Sequence, residues 1–589
     1  MHTERKHIVA ASRGDEPFDL VIKNTQLVNV FTAEIYRADI GIKEGRFAAV
    51  AHYEDDHPVF ELEGEEVHDA EGKYAVPGFV DAHVHIESTM LVPDKFSEAL
   101  LRYGTTTAVI DPHEIANVLG VEGVKKIVAA SEGLPVRILT TIPSCVPATE
   151  TLETAGARFY AKEVEELLQL PDVVGIAEIM DYPAVIQQNK RMAEIVQVGL
   201  NNDVLNEGHA PRVQGRDIQA YLSAGIHSDH ESRTADEIME KLRLGTVIYI
   251  RESSVSKFAD VAAQALKEMP LAINVAMCTD DIEASDILQN GQMNRVVRRL
   301  IEEGIDAPLA IRYATINGAK HFGLRDVGAI APGYMADFSL VESLDTMAIE
   351  DVYVKGEKLV EKGHVLVNVQ SKQPLETENT VKLPRLTKED FCIKAPFENG
   401  RARLRTIEVT KNGVTEEDVI TVDVSQGIVN ELPEDHVFLS VTGRHGQYKK
   451  PFVGVLKGSG IKDGAYGTTM AHDSHNLVIA GSNPEDMLIA AEEIEKSGGG
   501  LCLVENGEVV AKVELPVAGL MSPEPIEVVA ASIRNFSEKV RERKIQVGSR
   551  APSMALTSVI LTVTPNIRIS DKGLIHVNEQ KFVPLFVED

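Results

Sequence analysis

His83 and His85 stand two residues apart at the end of an apolar run, Gly78-Phe79-Val80-Asp81-Ala82-His83-Val84-His85. In a strand, side chains two apart project from the same face, so both imidazoles can reach one point. Neutral imidazole is the commonest protein metal ligand, and two of them make half of a tetrahedral site. A strand-end histidine on its own is more often a satisfied core residue. Here Glu178, His209, His230 and Asp280 follow downstream, each closing another strand-like run. Four histidines and two carboxylates exceed what one four-coordinate ion needs. They suit two ions that share a bridging carboxylate and a bridging water.

Positioning six such groups requires a repeated element. Strand candidates end near His85, Asp111, Ile142, Glu178, His209, His230, Arg251 and Asp280, with helical patterns between them, such as 161–170 and 234–244. In the second of these, Ile238, Met239 and Leu242 fall on one face, with Asp236, Glu237 and Lys241 mostly on the other. This alternation is of the α/β class and matches a (β/α)8 TIM-like barrel, whose chemistry lies at the carboxyl ends of the strands. No Gly-x-Gly-x-x-Gly opens the first unit, which disfavours an open doubly wound sheet. Short alternating runs from Asp19 to Tyr74, and again after Pro332-Gly333, read as a small antiparallel sheet. The two flanks, 1–75 and 332–370, are expected to meet as a small β-sandwich domain around the barrel at 76–331. A polar stretch at 370–384 reads as a linker, and 385–589 as a C-terminal α/β domain.

The chain of 589 residues is 44% hydrophobic and 25% charged, with a net charge of -31. Such a surface repels phosphate backbones and anionic lipids, so no nucleic-acid partner is expected. A nucleic-acid-acting deaminase would also want His-x-Glu with paired cysteines. Cys145, Cys278, Cys392 and Cys502 lie far apart, which argues against a disulfide framework or a thiolate zinc site. The opening Met1-His2-Thr3-Glu4-Arg5-Lys6 leads into no apolar segment, and no membrane-spanning run follows. A cytoplasmic location is the expectation.

Val76-Pro77-Gly78-Phe79-Val80-Asp81-Ala82-His83-Val84-His85 resembles the opening signature of the amidohydrolase superfamily. Thr279-Asp280 resembles its closing strand motif, and Pro332-Gly333-Tyr334-Met335-Ala336-Asp337 its return to the β domain. More narrowly, Ile86-Glu87-Ser88-Thr89-Met90, Asp111-Pro112-His113-Glu114, Ala177-Glu178-Ile179-Met180 and His472-Asp473-Ser474-His475-Asn476 are similar to the bacterial adenine deaminase family. The likeness covers most of the chain. It implies that His83, His85 and Asp280 hold one ion and His209 and His230 a second. Glu178 would bridge them, where many relatives use a carboxylated lysine. It also implies two divalent transition-metal ions, manganese or iron, although imidazole suits zinc as well. The implied reaction is hydrolytic deamination of adenine, a small-molecule substrate, to hypoxanthine and ammonia, as in purine salvage. A homo-oligomer, such as a dimer, is implied too.

In that reading the ions acidify a bridging water, and Asp280 is both ligand and proton carrier. Related cytosine deaminases place a glutamate three residues after the fifth-strand histidine, but here that slot is Arg212. Glu252, His113 and Glu114 are therefore the candidates for the proton donor. Arg251 is a candidate for orienting the purine or for neutralising Glu252. Glu87, Asp111 and His472 are further candidates for substrate contact, and Asp111 and His113 could also orient a ligand ring. Cys145 and Cys278 read as packed thiols. The competing readings are another superfamily hydrolase acting on a cyclic amide and a non-catalytic amidohydrolase-like scaffold.

Overall fold

The structure is a computed structural model that describes residues 5–410, 414–429, 431–545 and 551–588. Residues 1–4, part of the opening read above for an apolar leader, lie outside the described residues. Eight strands run in parallel through the central part of the chain: β1 (Phe79–Val84), β2 (Thr105–Ile110), β3 (Arg137–Ile142), β4 (Val173–Ile179), β5 (Leu205–Gly208), β6 (Ser228–Asp229), β7 (Val247–Arg251) and β8 (Val275–Cys278). β1 to β5 form one hydrogen-bonded sheet and β6 to β8 another. The residues of β1, β2 and β8 are all buried, as expected of parallel strands covered on both faces.

The two sheets meet at both edges. Between β8 and β1, Asp280 N donates to the His83 carbonyl at 3.0 Å and His85 N to the Asp280 carbonyl at 3.3 Å. Between β5 and β6, Gly208 N donates to Ser228 Oγ at 2.9 Å. The backbones are so close there that a Cβ on Gly208 would lie 2.0 Å from the Ser228 carbonyl oxygen. The result is a TIM-barrel-like domain whose strands end at, or within a few residues of, the positions read from the sequence.

Between the strands, helix Ala235–Arg243 illustrates how local rules set the boundaries. Thr234 caps it by accepting the Glu237 N–H, acidic residues occupy its first turn, and Lys241 and Arg243 its last. Its face assignment differs from the expectation, because Glu237 and Lys241 are buried. Lys241 Nζ donates to Asp229 Oδ2 (2.9 Å), Glu237 Oε1 (2.8 Å) and the Ala210 carbonyl (2.7 Å). Charge is thus spent inside the protein to tie the ends of β5 and β6 together.

The flanking segments contribute strands to one sheet. Phe338–Val341 pairs antiparallel with Tyr74–Pro77, Phe338 opposite Pro77. The sheet is mixed rather than purely antiparallel, since Gly64–Asp69 and Tyr74–Pro77 both run parallel to Phe18–Asn29. The stretch 370–384 has almost no regular structure, but it is no free tether: Leu375, Val381 and Leu383 are buried. Beyond it, among the described residues, a second ten-stranded sheet carries helices Pro484–Ser497 and Ile526–Glu542. Among the described residues, no helix is long and apolar enough to cross a membrane.

The C-terminal region is seated on the barrel. Phe96, Leu100, Ile287, Ile533 and Phe536 share one apolar core. Thr562 Oγ1 donates to Glu153 Oε1 at 2.8 Å, Lys572 Nζ to the Glu153 carbonyl at 2.7 Å, and Asn476 Nδ2 to the Thr154 carbonyl at 2.9 Å. Burial, then the Asp473 charge, pushes Glu153 up from 4.5 to about 7. A carboxyl raised in the folded state stabilises the fold below its unfolded pKa, and that contribution is lost as pH rises toward the folded value. Glu153→Gln cannot ionise. It should therefore gain stability over the wild type between about pH 5 and pH 8, by up to about 3 kcal/mol. Denaturant unfolding at the two pH values measures this. A pH-independent difference would mean that Glu153 titrates normally.

Candidate metal centre

All six expected ligands come together at the carboxyl ends of the strands. His83 Nε2 and His85 Nε2 lie 3.2 and 3.3 Å from Asp280 Oδ1, and 3.2 Å from each other. Glu178 divides its two oxygens: Oε1 faces His85 Nε2 at 3.5 Å, while Oε2 faces His209 Nδ1 at 2.5 Å and His230 Nε2 at 3.2 Å. The ligand atoms of His83, His230 and Asp280 lie within 4.8 Å of one another, as do those of Glu178, His209 and His230. His85 is aimed by its other nitrogen, Nδ1, which donates to the Asp111 carbonyl at 3.2 Å and leaves Nε2 to face the cluster.

Asp280 is held by its neighbours rather than by local preference. It sits at φ 55, in the left-handed region, which is strained for a non-glycine residue. The preceding residue is locked: Thr279 N and Oγ1 donate to Asp81 at 3.1 and 2.5 Å, and Gln292 Nε2 also donates to Asp81 at 2.5 Å. Asp280 Oδ2, pointing away from the imidazoles, accepts from Arg251 at 2.9 Å.

The electrostatics call for positive charge at this point. Burial works against ionised Asp280 and Glu178, yet Arg251 with His83 and His85 holds Asp280, and His209 with His230 holds Glu178, well below the ordinary range. The same carboxylates outweigh burial at His230 and raise it to about 9, whereas burial and the His230 charge push His83 down. His230 Nε2, although 3.2 Å from Glu178, has no hydrogen-bond partner of usable direction. Convergent nitrogen and oxygen atoms that face one point fit a divalent cation with an imidazole and carboxylate donor set.

The cluster forms the floor of a cavity of about 1200 Å³, whose walls include Met180, Glu231, Arg251, Asp281 and His472. The sequence reading missed several of its polar groups, Glu231 and Asp473 among them. Glu231 lines the wall and pairs with Arg251, its position directly after His230 being the only signal. Asp473 lies inside the quoted His472-Asp473-Ser474-His475-Asn476 motif and also lines the cavity. Arg251 therefore neutralises Glu231 and Asp280, not Glu252.

Several expected roles are corrected by placement. Glu252 is absent from the cavity wall, and its carboxylate accepts the Ala259 N–H at 3.0 Å, at the start of helix Ala259–Glu268. Glu87 is fully buried and holds the Ile115 N–H at 3.0 Å, so it supports the first turn of helix His113–Ser131 and does not face the cavity. Asp111 is likewise buried behind the cluster, with Oδ2 3.1 Å from His113 Nδ1. Glu114 lies beneath the wall, 3.4 Å from His472 Nδ1, whereas His113 and His472 themselves line the cavity. Arg212 is exposed, and only its backbone N–H is engaged, by Glu237. Cys145 and Cys278 are buried, and burial pushes the Cys145 thiol up to about 12, the state of a packed thiol.

Residues 74–359 match the amidohydrolase family, and residues 412–581 match the adenine deaminase C-terminal domain. The chain is 37% identical over 586 residues to an adenine deaminase of Kosmotoga olearia, with 98% of each chain covered. It is 39% identical over 586 residues to an adenine deaminase of Methanothrix thermoacetophila, with 99% of each covered. It is 39% identical over 579 residues to one of Klebsiella pneumoniae, covering 97% of this chain and 94% of that relative.

The position of Glu252 yields a direct check. Glu252→Ala should cost about 1 kcal/mol of stability through the lost helix-start bond and leave turnover within about threefold. Unfolding curves and steady-state rates test both. A hundredfold loss of turnover in folded, metal-replete protein would return Glu252 to the reacting groups.

Proposed function

The chain belongs to the adenine deaminase family of amidohydrolases, and we propose that the six convergent side chains carry the reaction of this hydrolase. The reaction takes adenine and water to hypoxanthine and ammonia. The observation that supports the site assignment best is the division of Glu178 and Asp280, each presenting an oxygen to two imidazoles on the floor of a substrate-sized cavity. In this reading 76–331 is a (β/α)8 barrel inserted in a small β domain (1–75 and 332–370), with 385–589 as a C-terminal α/β domain.

His83, His85 and Asp280 would hold one divalent ion, His209 and His230 a second, and Glu178 both. Manganese or iron is the assignment that the resemblance favours, and zinc also suits the donors. Ions held there supply an acidified water as nucleophile. The protein's own groups do the rest. Oxygen adds to C6 of adenine while N1 takes one of the two protons that water gives up, the C6–amine bond breaks, and the amine leaves as ammonia with the other. Asp280 is the group that carries that proton. Arg251 on Oδ2 favours the ionised carboxylate, so the proton is handed on rather than retained. Glu231 and Arg251 form the polar wall against which the purine edge rests.

The test is to assay ammonia and hypoxanthine from adenine, with adenosine and cytosine alongside, using protein purified with added manganese. Adenine alone should turn over rapidly. Glu178→Gln should lose bound metal and at least about a hundredfold in rate. No release from any base by metal-replete protein would move the substrate to a cyclic amide. A normal rate in Glu178→Gln with normal metal content would remove Glu178 from the centre.

A further inference from the structure

A second cluster of metal-ligating side chains lies where the start of helix His113–Ser131, just after β2, meets the C-terminal region, and the chemistry above leaves it unused. It joins His113 and Glu114 to His472, Asp473 and His475, residues separated by more than three hundred positions in the chain and none of them among the six groups at the strand ends. The ligand atoms of His113, His472 and Asp473 lie within 4.8 Å of one another, as do those of Glu114, His472 and His475. His472 Nδ1 is 3.4 Å from Glu114 Oε1, and His113 Nε2 is 3.6 Å from Asp473 Oδ1 and 3.7 Å from Glu114 Oε1. Ligands about 2.1 Å from a common ion stand roughly 3.0 to 3.5 Å apart, so these separations are close to that spacing.

The cluster is buried and unsatisfied. Glu114 and His475 are 0% exposed, His113 and Asp473 2%, and His472 6%. Among the described residues, both Glu114 oxygens, His113 Nε2, His472 Nε2, Asp473 Oδ2 and His475 Nε2 have no hydrogen bond of good geometry. Glu114, wholly out of water, is faced by imidazole nitrogens of His472, His85 and His113 at 3.4 to 3.7 Å, so only these rings match its charge unless an ion is held there. Two imidazoles are engaged through their far nitrogens: His113 Nδ1 meets Asp111 Oδ2 at 3.1 Å, and His475 Nδ1 meets the Thr469 carbonyl at 3.1 Å. A ligating histidine is oriented in this way, its second nitrogen tied to an acceptor.

The loop that carries the C-terminal ligands is fixed from behind. Buried Arg444 donates through Nε to the His475 carbonyl at 2.5 Å and through its other nitrogens to the Ala518 carbonyl at 3.1 Å. Asn476 Nδ2 reaches across to the Thr154 carbonyl on the barrel side. The donors are therefore held by rigid neighbours on both sides of the contact, as a preorganised site requires.

We infer that His113, Glu114, His472, Asp473 and His475 form a further metal site that takes a divalent transition ion and pins the C-terminal region over the cavity, adjoining the centre at the strand ends, where His113 Nδ1 is 3.6 Å from Glu178 Oε1 and Glu114 Oε1 is 3.6 Å from His85 Nδ1. Imidazole with carboxylate selects manganese, iron, cobalt or zinc over calcium or magnesium. Because His113 and His472 also line the cavity, the ion would hold part of the substrate wall in place.

The decisive experiment is an anomalous difference map at the manganese edge from crystals of the full chain loaded with manganese, paired with metal analysis of the same protein. A peak among His113, Glu114, His472 and His475 is expected, apart from density at the six strand-end ligands, with three ions per chain in total. The double variant His472→Ala/His475→Ala should bind two ions, whereas His230→Ala should lose metal at the strand ends and keep the peak at His472. Peaks only at the strand ends, with two ions in wild type and double variant alike, overturn this site and leave the proposed centre intact. A peak only at His472 would overturn that centre and leave this site standing. The wild-type map decides the question even if the double variant fails to fold.

Discussion

Ionised carboxylates and imidazoles are gathered out of water at one end of a parallel barrel, and the rest of the structure answers to that constraint. A buried charge costs several kcal/mol unless opposite charge and hydrogen bonds compensate it. Glu178 and Asp280 are each faced by more than one imidazole, and Asp280 also by Arg251. Groups with such strong mutual interactions would relax apart if their backbones allowed it. Asp81 locks Thr279 ahead of Asp280, Lys241 ties β5 to β6, and the Asp111 carbonyl orients His85. Each of these contacts lies behind the cluster, and each keeps donor atoms pointing at a common place.

The remaining architecture follows from making that place useful. Strand ends provide a floor of ligands, and the C-terminal region provides wall and roof through His472, Asp473 and residues near Pro552. A hydrolase acting on a flat heterocycle needs both, since the ring must lie over the nucleophile and be shielded from competing solvent. The link between the two halves is itself polar and buried, running through Glu153, Thr562, Asn476 and the Glu114–His472 contact. Displacing the C-terminal region would therefore disturb the cavity wall as well as an apolar interface.

Much of this was legible in the chain because parallel strands repeat. His-x-His on one face, and ligands at the ends of successive apolar runs, follow from the two-residue period and from the rule that barrel chemistry sits at carboxyl ends. The same period explains why Glu252 was misread. Arg251 points into the cavity, so the residue after it turns away, and Glu252 ends up at a helix start. Glu237 and Lys241 look like a solvated helical face, and only the tertiary position of Asp229 makes them a buried ion network. Contacts such as Glu114 with His472, or Phe338 with Pro77, have no local signature, since they depend on how distant segments pack.

With the proposed ligands, turnover by this cluster depends on bound cations. The most direct test is to strip metal from the purified protein with a chelator, verify its loss, and measure adenine turnover while manganese is returned stepwise. Stripped protein should show negligible turnover, and activity should return in step with occupancy of the strand-end ligands. Full turnover by protein that demonstrably holds no metal would contradict this dependence.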